Sequence, residues 1–76
     1  MQHQKFDFRG LKCPLPVLKA RRALKPMEIG QSIIVTADDP AAPIDFIHFC
    51  QTEGHRIEQH SQENGIFTFV ICKLSS

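Results

Sequence analysis

The residue best suited to do chemistry in this sequence is Cys13, which lies between Lys12 and Pro14 at the start of a predicted helix. A cysteine thiolate is a strong nucleophile, and the unpaired amide protons and dipole at a helix N-terminus stabilise an anion. The cations Arg9 and Lys12 would add to this effect. The sequence therefore predicts an accessible nucleophilic thiol whose pKa lies moderately below the free cysteine value of about 8.5.

The two other cysteines are expected to be structural. Cys50 shares an apolar helical stripe with Phe46, Ile47 and Phe49, which places it in the core. Cys72 lies on the last predicted strand, opposite the face of alternating apolar residues, so we expect it to be partly exposed but not activated. Three scattered cysteines do not make a disulfide framework, and in a reducing compartment all three would be thiols.

The spacing of cysteine and histidine favours neither a dithiol redox site nor a metal site. The sequence has no Cys-x-x-Cys pair, and Cys13 has no resolving cysteine nearby. His48 and Cys50 are two residues apart on a predicted helix and point in different directions. His55 and His60 are five apart on a predicted strand, which places them on opposite faces. We expect no metal and no cofactor, and a thiol redox protein remains an alternative.

Turn residues and apolar periodicity predict the elements that position Cys13. The predicted strands cover residues 5–8, 32–37, 55–62 and 66–73, and the predicted helices run to about residue 25 and from 40 to 53. Pro14 and Pro16 fall in the first turn of the first helix, where their missing N–H groups cost nothing. An aspartate of the Asp38-Asp39 pair is expected to be the N-cap of the second helix.

This order, βαβαββ, predicts a fold of the α/β (α+β) class. Two helices would pack on one face of a four-stranded mixed sheet as a two-layer sandwich, with residues 1–76 forming a single domain. The first βαβ unit makes its two strands parallel, so both helices begin at the same end of the sheet. We therefore expect Cys13 to share one rim with Asp38 and Asp39.

The first helix has a face that could receive a protein partner. Its apolar stripe, which we expect to face the sheet, consists of Pro16, Val17, Ala20 and Leu24. Largely on the other side lie Leu15, Leu18, Lys19 and Arg22, where leucines beside basic residues resemble a docking face. Arg9, which precedes the helix, is predicted to be a further docking residue. An alternative is that Leu15 only covers the start of the helix.

Charge is distributed unevenly along the chain. Residues 1–25 carry seven Lys or Arg against one Asp, and residues 26–76 carry two against seven Asp or Glu. A basic surface can meet an acidic protein face or a nucleic acid, or can simply be a solvated helix face. A nucleic-acid module remains an alternative, although the phenylalanines alternate as core residues do and not as exposed stacking platforms. With no apolar run of about 20 residues and no apolar segment after Met1, we expect a cytoplasmic protein without a membrane partner.

The segment Gly10-Leu11-Lys12-Cys13-Pro14-Leu15-Pro16 resembles the Gly-Leu-x-Cys-Pro-x-Pro signature of the TusA/SirA-like sulfur-carrier family. The likeness extends over almost the whole chain and includes the Asp-Asp-Pro turn at residues 38–40 and a closing strand that ends in Lys73. The resemblance implies a two-layer βαβαββ fold similar to the C-terminal domain of translation initiation factor three.

The resemblance also implies that Cys13 accepts sulfane sulfur as a persulfide, typically from a cysteine desulfurase, and hands it to an acceptor protein. Family members serve tRNA thiolation, molybdenum-cofactor metabolism or sulfur oxidation, so RNA would be involved only indirectly and DNA not at all. The best-studied tRNA-thiolation members resemble Cys-Pro-Glu-Pro, whereas Leu15 occupies the variable position here. The donor and acceptor are therefore left open, and nothing in the sequence demands more than a monomer.

Overall fold

The computed structural model describes residues 4–75, so that predictions for residues 1–3 and 76 lie outside the described range. The elements, in chain order, are β1 (Gln4–Asp7), α1 (Leu15–Leu24), β2 (Ser32–Ala37), α2 (Ala42–Glu53), β3 (Arg56–Glu63) and β4 (Ile66–Cys72). The predicted order of strands and helices is confirmed. Neither α1, with 10 residues, nor α2, with 12, has the length and apolar character needed to cross a membrane.

The four strands form one mixed sheet in the order β1-β2-β4-β3. β1 pairs with β2 in parallel, and β4 is antiparallel to both β2 and β3. The parallel pair requires a crossover connection, which α1 provides. Asn64 and Gly65, with φ angles of 55° and 77°, make the tight turn between β3 and β4 that the Asn-Gly pair predicts. The α+β fold predicted from the sequence is therefore confirmed.

The core lies between the sheet and the two helices. Ala20 and Leu24 of α1 are at most 1% exposed, as the predicted helical stripe requires. Phe46 of α2 packs against Phe69 of β4 with their ring centroids 4.9 Å apart. Burying each such aromatic side chain contributes about 1.5–3 kcal/mol, so these contacts stabilise the packing of the helices on the sheet.

The second helix begins two residues later than predicted. It starts at Ala42 with Ala41 in the N-cap position, and no side chain caps it. The Asp39 carboxylate instead accepts the backbone N–H of Ala41 at 3.0 Å and so stabilises the turn that precedes the helix. The predicted end is correct, because Gly54 terminates the helix in the left-handed conformation with φ 81°.

Two predictions of side-chain exposure were wrong. Cys72 is only 4% exposed, because β4 is a central strand and Cys72 is paired between Ser32 of β2 and Arg56 of β3. Ile47 is 46% exposed and is not part of the core stripe of α2. Cys50, by contrast, is 4% exposed and packs in the core as predicted.

The predicted placement of His55 and His60 on opposite faces was also wrong. The register of β3 slips at Glu58, so one extra residue reverses the alternation of side chains beyond it. His60 is paired with Phe69 and stacks on it at 5.8 Å, and His55 lies 5.6 Å from Phe49 of α2. Both histidines thus face the helix side of the sheet. Within residues 4–75, no three histidine, cysteine or acidic side chains are grouped in a way that could hold a metal.

Candidate functional site

Cys13 lies in the connection between β1 and α1, one residue before the N-cap of α1, which is Pro14. The peptide bond between these two residues is cis. The Cys13 side chain is exposed, while Cys50 and Cys72 are both buried. Cys13 is therefore the cysteine that another molecule can reach in the folded protein.

Two aspartates hold the segment that carries Cys13. Asp39 Oδ2 accepts the backbone N–H of Cys13 at 2.6 Å, and Asp38 Oδ1 accepts the backbone N–H of Gly10 at 3.0 Å. Gly10 has a φ of 85°, a backbone conformation that favours glycine. The structure thus places Asp38, Asp39 and Cys13 at one rim of the sheet, with the aspartates anchoring the backbone before α1.

The start of α1 presents fewer free amide protons than were expected to stabilise a thiolate. Pro14 and Pro16 have no N–H, and the N–H of Leu15 donates to the Lys12 carbonyl at 2.8 Å. The N–H of Cys13 itself is used by Asp39. The two prolines that make this motif recognisable therefore also remove two of the donors that usually lower the pKa of a cysteine at a helix N-terminus.

The two nearby cations are also directed elsewhere. Arg9 donates through Nε and Nη2 to the two carboxylate oxygens of Asp7, both at 2.8 Å. This pairing holds the pKa of Asp7 well below its usual range. Lys12 favours the ionised form of Asp39 and so helps to lower the pKa of that carboxyl. Arg9 and Lys12 thus stabilise the carboxylates of Asp7 and Asp39 and not a thiolate at Cys13.

The predicted depression of the Cys13 pKa was wrong, and Asp45 is the main reason. Asp45 lines the same cleft as Cys13, and its carboxylate raises the pKa of the thiol, chiefly by favouring the protonated, hydrogen-bonding form and also by repelling the thiolate. Partial desolvation and the charge of Asp39 act in the same direction. The resting side chain is therefore a neutral thiol in an acidic setting.

Cys13 lies on the wall of a shallow cleft of about 250 Å³ between α1 and α2. The other residues that line it are Pro14, Val17, Arg21, Asp45, His48, Phe49, Thr52 and Glu53. Arg21 of α1 and Glu53 of α2 form an ion pair across this cleft, with Nη2 and Oε2 3.2 Å apart. On α2, His48 Nε2 and Thr52 Oγ1 are 3.5 Å apart. The thiol therefore faces a polar strip of α2.

Sequence reasoning missed this polar strip. Asp45, His48 and Thr52 are spaced three and four residues apart, so they share one face of α2. That spacing is visible in the sequence, on a helix whose other positions are largely apolar. The contact with Cys13 is not visible, because it depends on how closely α1 and α2 pack.

The predicted docking residues are on the outward side of α1. Leu15 and Leu18 are 44% and 46% exposed, and the neighbouring Lys19 and Arg22 are exposed as well. Leu18 and Arg22 border one shallow depression together with Arg21 and Lys25. Arg9, also predicted as a docking residue, lies at the rim with Asp7 and not on this helix face. α1 thus presents two leucines surrounded by cations beside the reactive thiol.

The fold and the site define the class of protein. A small α+β sandwich presents one accessible cysteine at the rim of its sheet, where another protein can approach it. The cleft beside Cys13 is shallow, so the thiol is open to an approaching partner molecule.

Comparison with known proteins identifies the family. The sequence profile described as "Sulfurtransferase TusA" matches residues 4–73, which is nearly the whole chain. The chain therefore belongs to the TusA family of sulfur carriers, as the resemblance of its Cys-Pro-x-Pro segment implies.

Individual relatives support the same assignment. A candidate sulfur carrier protein of Neisseria meningitidis serogroup A is 44% identical over 71 residues, covering 93% of this chain and 96% of the relative. The sulfur carrier protein TusA of Allochromatium vinosum is 40% identical, with 92% of each chain covered. The crystal structure of a SirA-like protein from Desulfitobacterium hafniense superposes with a TM-score of 0.80 at 23% identity, covering 93% of this chain and 97% of that one. This last comparison shows that the fold is shared.

Proposed function

We propose that this protein carries sulfane sulfur as a persulfide on Cys13, receiving it from a donor such as a cysteine desulfurase and passing it to an acceptor protein. The observation that carries the proposal is the exposure of Cys13 beside the outward face of α1, in a member of a sulfur-carrier family. The sulfur-carrier role itself implies protein partners in a relay.

The transfer requires only one thiol. The Cys13 sulfur attacks the terminal sulfur of the donor persulfide after losing its proton to solvent, and a new S–S bond forms as the donor's S–S bond breaks. The electron pair of the broken bond leaves with the donor cysteine as a thiolate. Discharge is the same exchange with the acceptor cysteine as the attacking group. No metal, cofactor or second cysteine of this chain takes part.

The face formed by Leu15, Leu18, Lys19 and Arg22 is the proposed contact with these partners. Its cations suit an acidic protein surface, and its two half-exposed leucines supply apolar area at the centre. tRNA thiolation, molybdenum-cofactor metabolism and sulfur oxidation are the candidate destinations of the sulfur. A monomer in the cytoplasm, where reducing conditions keep Cys13 free, belongs to the same proposal.

The two alternative functions have less structural support. For RNA binding by stacking, the phenylalanines would have to be exposed, yet Phe8 and Phe69 are 6% and 1% exposed, and Phe6 and Phe67 are partly buried against the core. For dithiol redox chemistry, Cys13 would need a second reactive cysteine. Burial raises the pKa of Cys50 to about 11, which leaves it a poor resolving thiol.

Loading by a cysteine desulfurase tests the proposal. The protein is incubated with the enzyme and cysteine, and its intact mass is measured before and after treatment with a reductant. One added sulfur atom that the reductant removes is expected in the wild type and in Cys50→Ala and Cys72→Ala, but not in Cys13→Ser. A wild-type protein that gains no sulfur, although its Cys13 is freely alkylated, would exclude this donor class and favour a binding module.

A further inference from the structure

The charged groups around Cys13 are predominantly acidic where they face the sulfur. Asp45, His48 and Glu53 reach the cleft from α2, and Arg21 reaches it from α1. Arg21 is paired with Glu53 at 3.2 Å, so its charge is directed to that carboxylate.

Asp39 and Lys12 lie on the loops that precede the two helices. The Asp39 carboxylate accepts the Cys13 N–H at 2.6 Å, and the positive charge of Lys12 acts on this carboxylate. Asp45 lines the same cleft as Cys13, and within residues 4–75 neither Arg21 nor Lys12 forms an ion pair with its carboxylate. Its effect on the pKa of Cys13 is in the direction expected of a negative charge.

Empty and loaded Cys13 differ in charge at neutral pH. The empty side chain is a neutral thiol, which a neighbouring carboxylate tolerates and can hydrogen-bond. A persulfide is a stronger acid than its parent thiol, because the second sulfur helps to bear the negative charge. Loading therefore places an anion opposite Asp45, and two like charges at such a site repel one another.

We infer that Asp45 is a positioning residue that acts through Cys13 to disfavour the loaded state and so biases the carrier toward giving its sulfur away. This inference rests on the proposed sulfur-carrier function and adds a role for one side chain of α2. In the exchange of sulfur with a small thiol, one S–S bond breaks and one forms, so no oxidant is consumed. What Asp45 changes is the equilibrium of that exchange, because only the loaded protein carries the additional charge at neutral pH.

Replacing the charge of Asp45 provides the test. Asp45→Asn keeps the size and one oxygen of the side chain but removes the charge, and Asp45→Ser is a second neutral variant should the first fail to fold. Asp45→Glu restores the charge. Glu63→Gln, at the exposed end of β3, removes one acidic charge that does not line the cleft and is the matched control.

The first measurement uses the unloaded protein and does not depend on sulfur transfer. The rate of alkylation of Cys13 by iodoacetamide is followed from about pH 6 to pH 10, across the ordinary cysteine pKa. The midpoint of this profile should move to lower pH in the neutral Asp45 variants, and it should stay at the wild-type value in Glu63→Gln. Recovery toward the wild-type midpoint is expected in Asp45→Glu, which a purely structural role of Asp45 would not produce.

The second measurement is the equilibrium between the protein and a fixed ratio of glutathione persulfide to glutathione at neutral pH. Mass spectrometry gives the loaded fraction. The ratio of loaded to empty protein should rise several-fold in Asp45→Asn and remain unchanged in Glu63→Gln. An unchanged ratio, or an unchanged alkylation midpoint, would overturn the inference. Failure of a desulfurase to load the wild type would instead count against the proposed function, and both measurements on Asp45 would still be decisive.

Discussion

The backbone N–H of Cys13 donates a hydrogen bond of 2.6 Å to Oδ2 of Asp39, which lies 26 residues further along the chain. The other carboxylate oxygen of Asp39 accepts the N–H of Ala41 at 3.0 Å. One side chain thus joins the segment before α1 to the turn before α2. Because both helices are connected to it, Asp39 sets where Cys13 lies relative to α2 and its polar side chains.

We predict that Asp39→Ala lowers the thermal stability of the protein and loosens the Cys13 segment. The variant leaves two N–H groups without their carboxylate acceptor, so the Cys13 amide should exchange its hydrogen faster. Asp39→Asn, which keeps one acceptor oxygen, should have an intermediate effect. Thermal unfolding measures the loss of stability, and hydrogen exchange measures the loosening of the Cys13 segment. An unchanged exchange rate of the Cys13 amide would contradict the prediction.

The stabilisation that Asp39 provides should depend on pH. Hydrogen bonds from Ala41 and Cys13 lower the pKa of Asp39, so the folded state binds this proton less readily than the unfolded state does. The stability from Asp39 is present above the ordinary carboxyl pKa of about 3.9 and is lost as the pH falls through the lower value of the folded state. The difference between wild type and Asp39→Ala should therefore shrink in acid. A difference that stays constant with pH would rule out the ionised carboxylate as its source.

Features that depend on the pattern within one segment could be predicted from the sequence alone. The order of elements, the Asn64-Gly65 turn and the inward stripe of α1 all follow from spacing along one segment. The Cys13 environment depends on contacts between segments, and there the expectations failed. The raised pKa of Cys13 results from Asp45, which reaches the thiol only because α1 and α2 pack together. The slip in β3 at Glu58 has no residue pattern that marks it, so the faces of His55 and His60 could not be predicted.

A single charge on the outward face of α1 should slow sulfur transfer without unfolding the protein. Leu18→Asp places an acid where the proposed partner surface is itself acidic, and Arg22→Glu reverses one of the attracting charges. Ile47→Asp on α2 is a matched control, because Leu18 and Ile47 are each 46% exposed. Transfer rates are measured with a cysteine desulfurase, and far-ultraviolet circular dichroism verifies folding. Equal transfer rates for Leu18→Asp and Ile47→Asp would exclude the outward face of α1 as the contact surface for the partner.

Gly54→Ala should destabilise the protein by about 1 kcal/mol, the typical strain of an L-residue in the left-handed conformation. Gly54 ends α2 with φ 81°, and an added Cβ would lie 3.0 Å from Ser75 Oγ. Gly54→Asn separates the two effects, because asparagine brings the same Cβ but tolerates this backbone conformation better. Urea unfolding should give a larger loss for alanine than for asparagine. Equal losses of stability in the two variants would show that the close contact with Ser75, and not backbone strain, causes the destabilisation.

The stability of the protein should rise with pH through the range just below the ordinary histidine pKa of about 6.5, in part because of His55. Burial lowers the pKa of His55, and its Nδ1 accepts the N–H of Leu74 at 3.3 Å. In this range the unfolded chain binds more protons than the folded one, so stability increases as the pH rises. His55→Gln should show a flatter dependence in urea unfolding. A dependence as steep as that of the wild type would show that other groups cause it.

The most direct test of the carrier function is the recovery of a transferable sulfur atom from Cys13. Protein loaded by a desulfurase is freed of enzyme and cysteine and then treated with cyanide, which takes the terminal sulfur of a persulfide as thiocyanate and leaves the thiol. The wild type should release close to one equivalent of thiocyanate and regain an alkylatable Cys13, while Cys13→Ser treated in the same way should release none. Equal release from Cys13→Ser, or none from the wild type, would contradict the account.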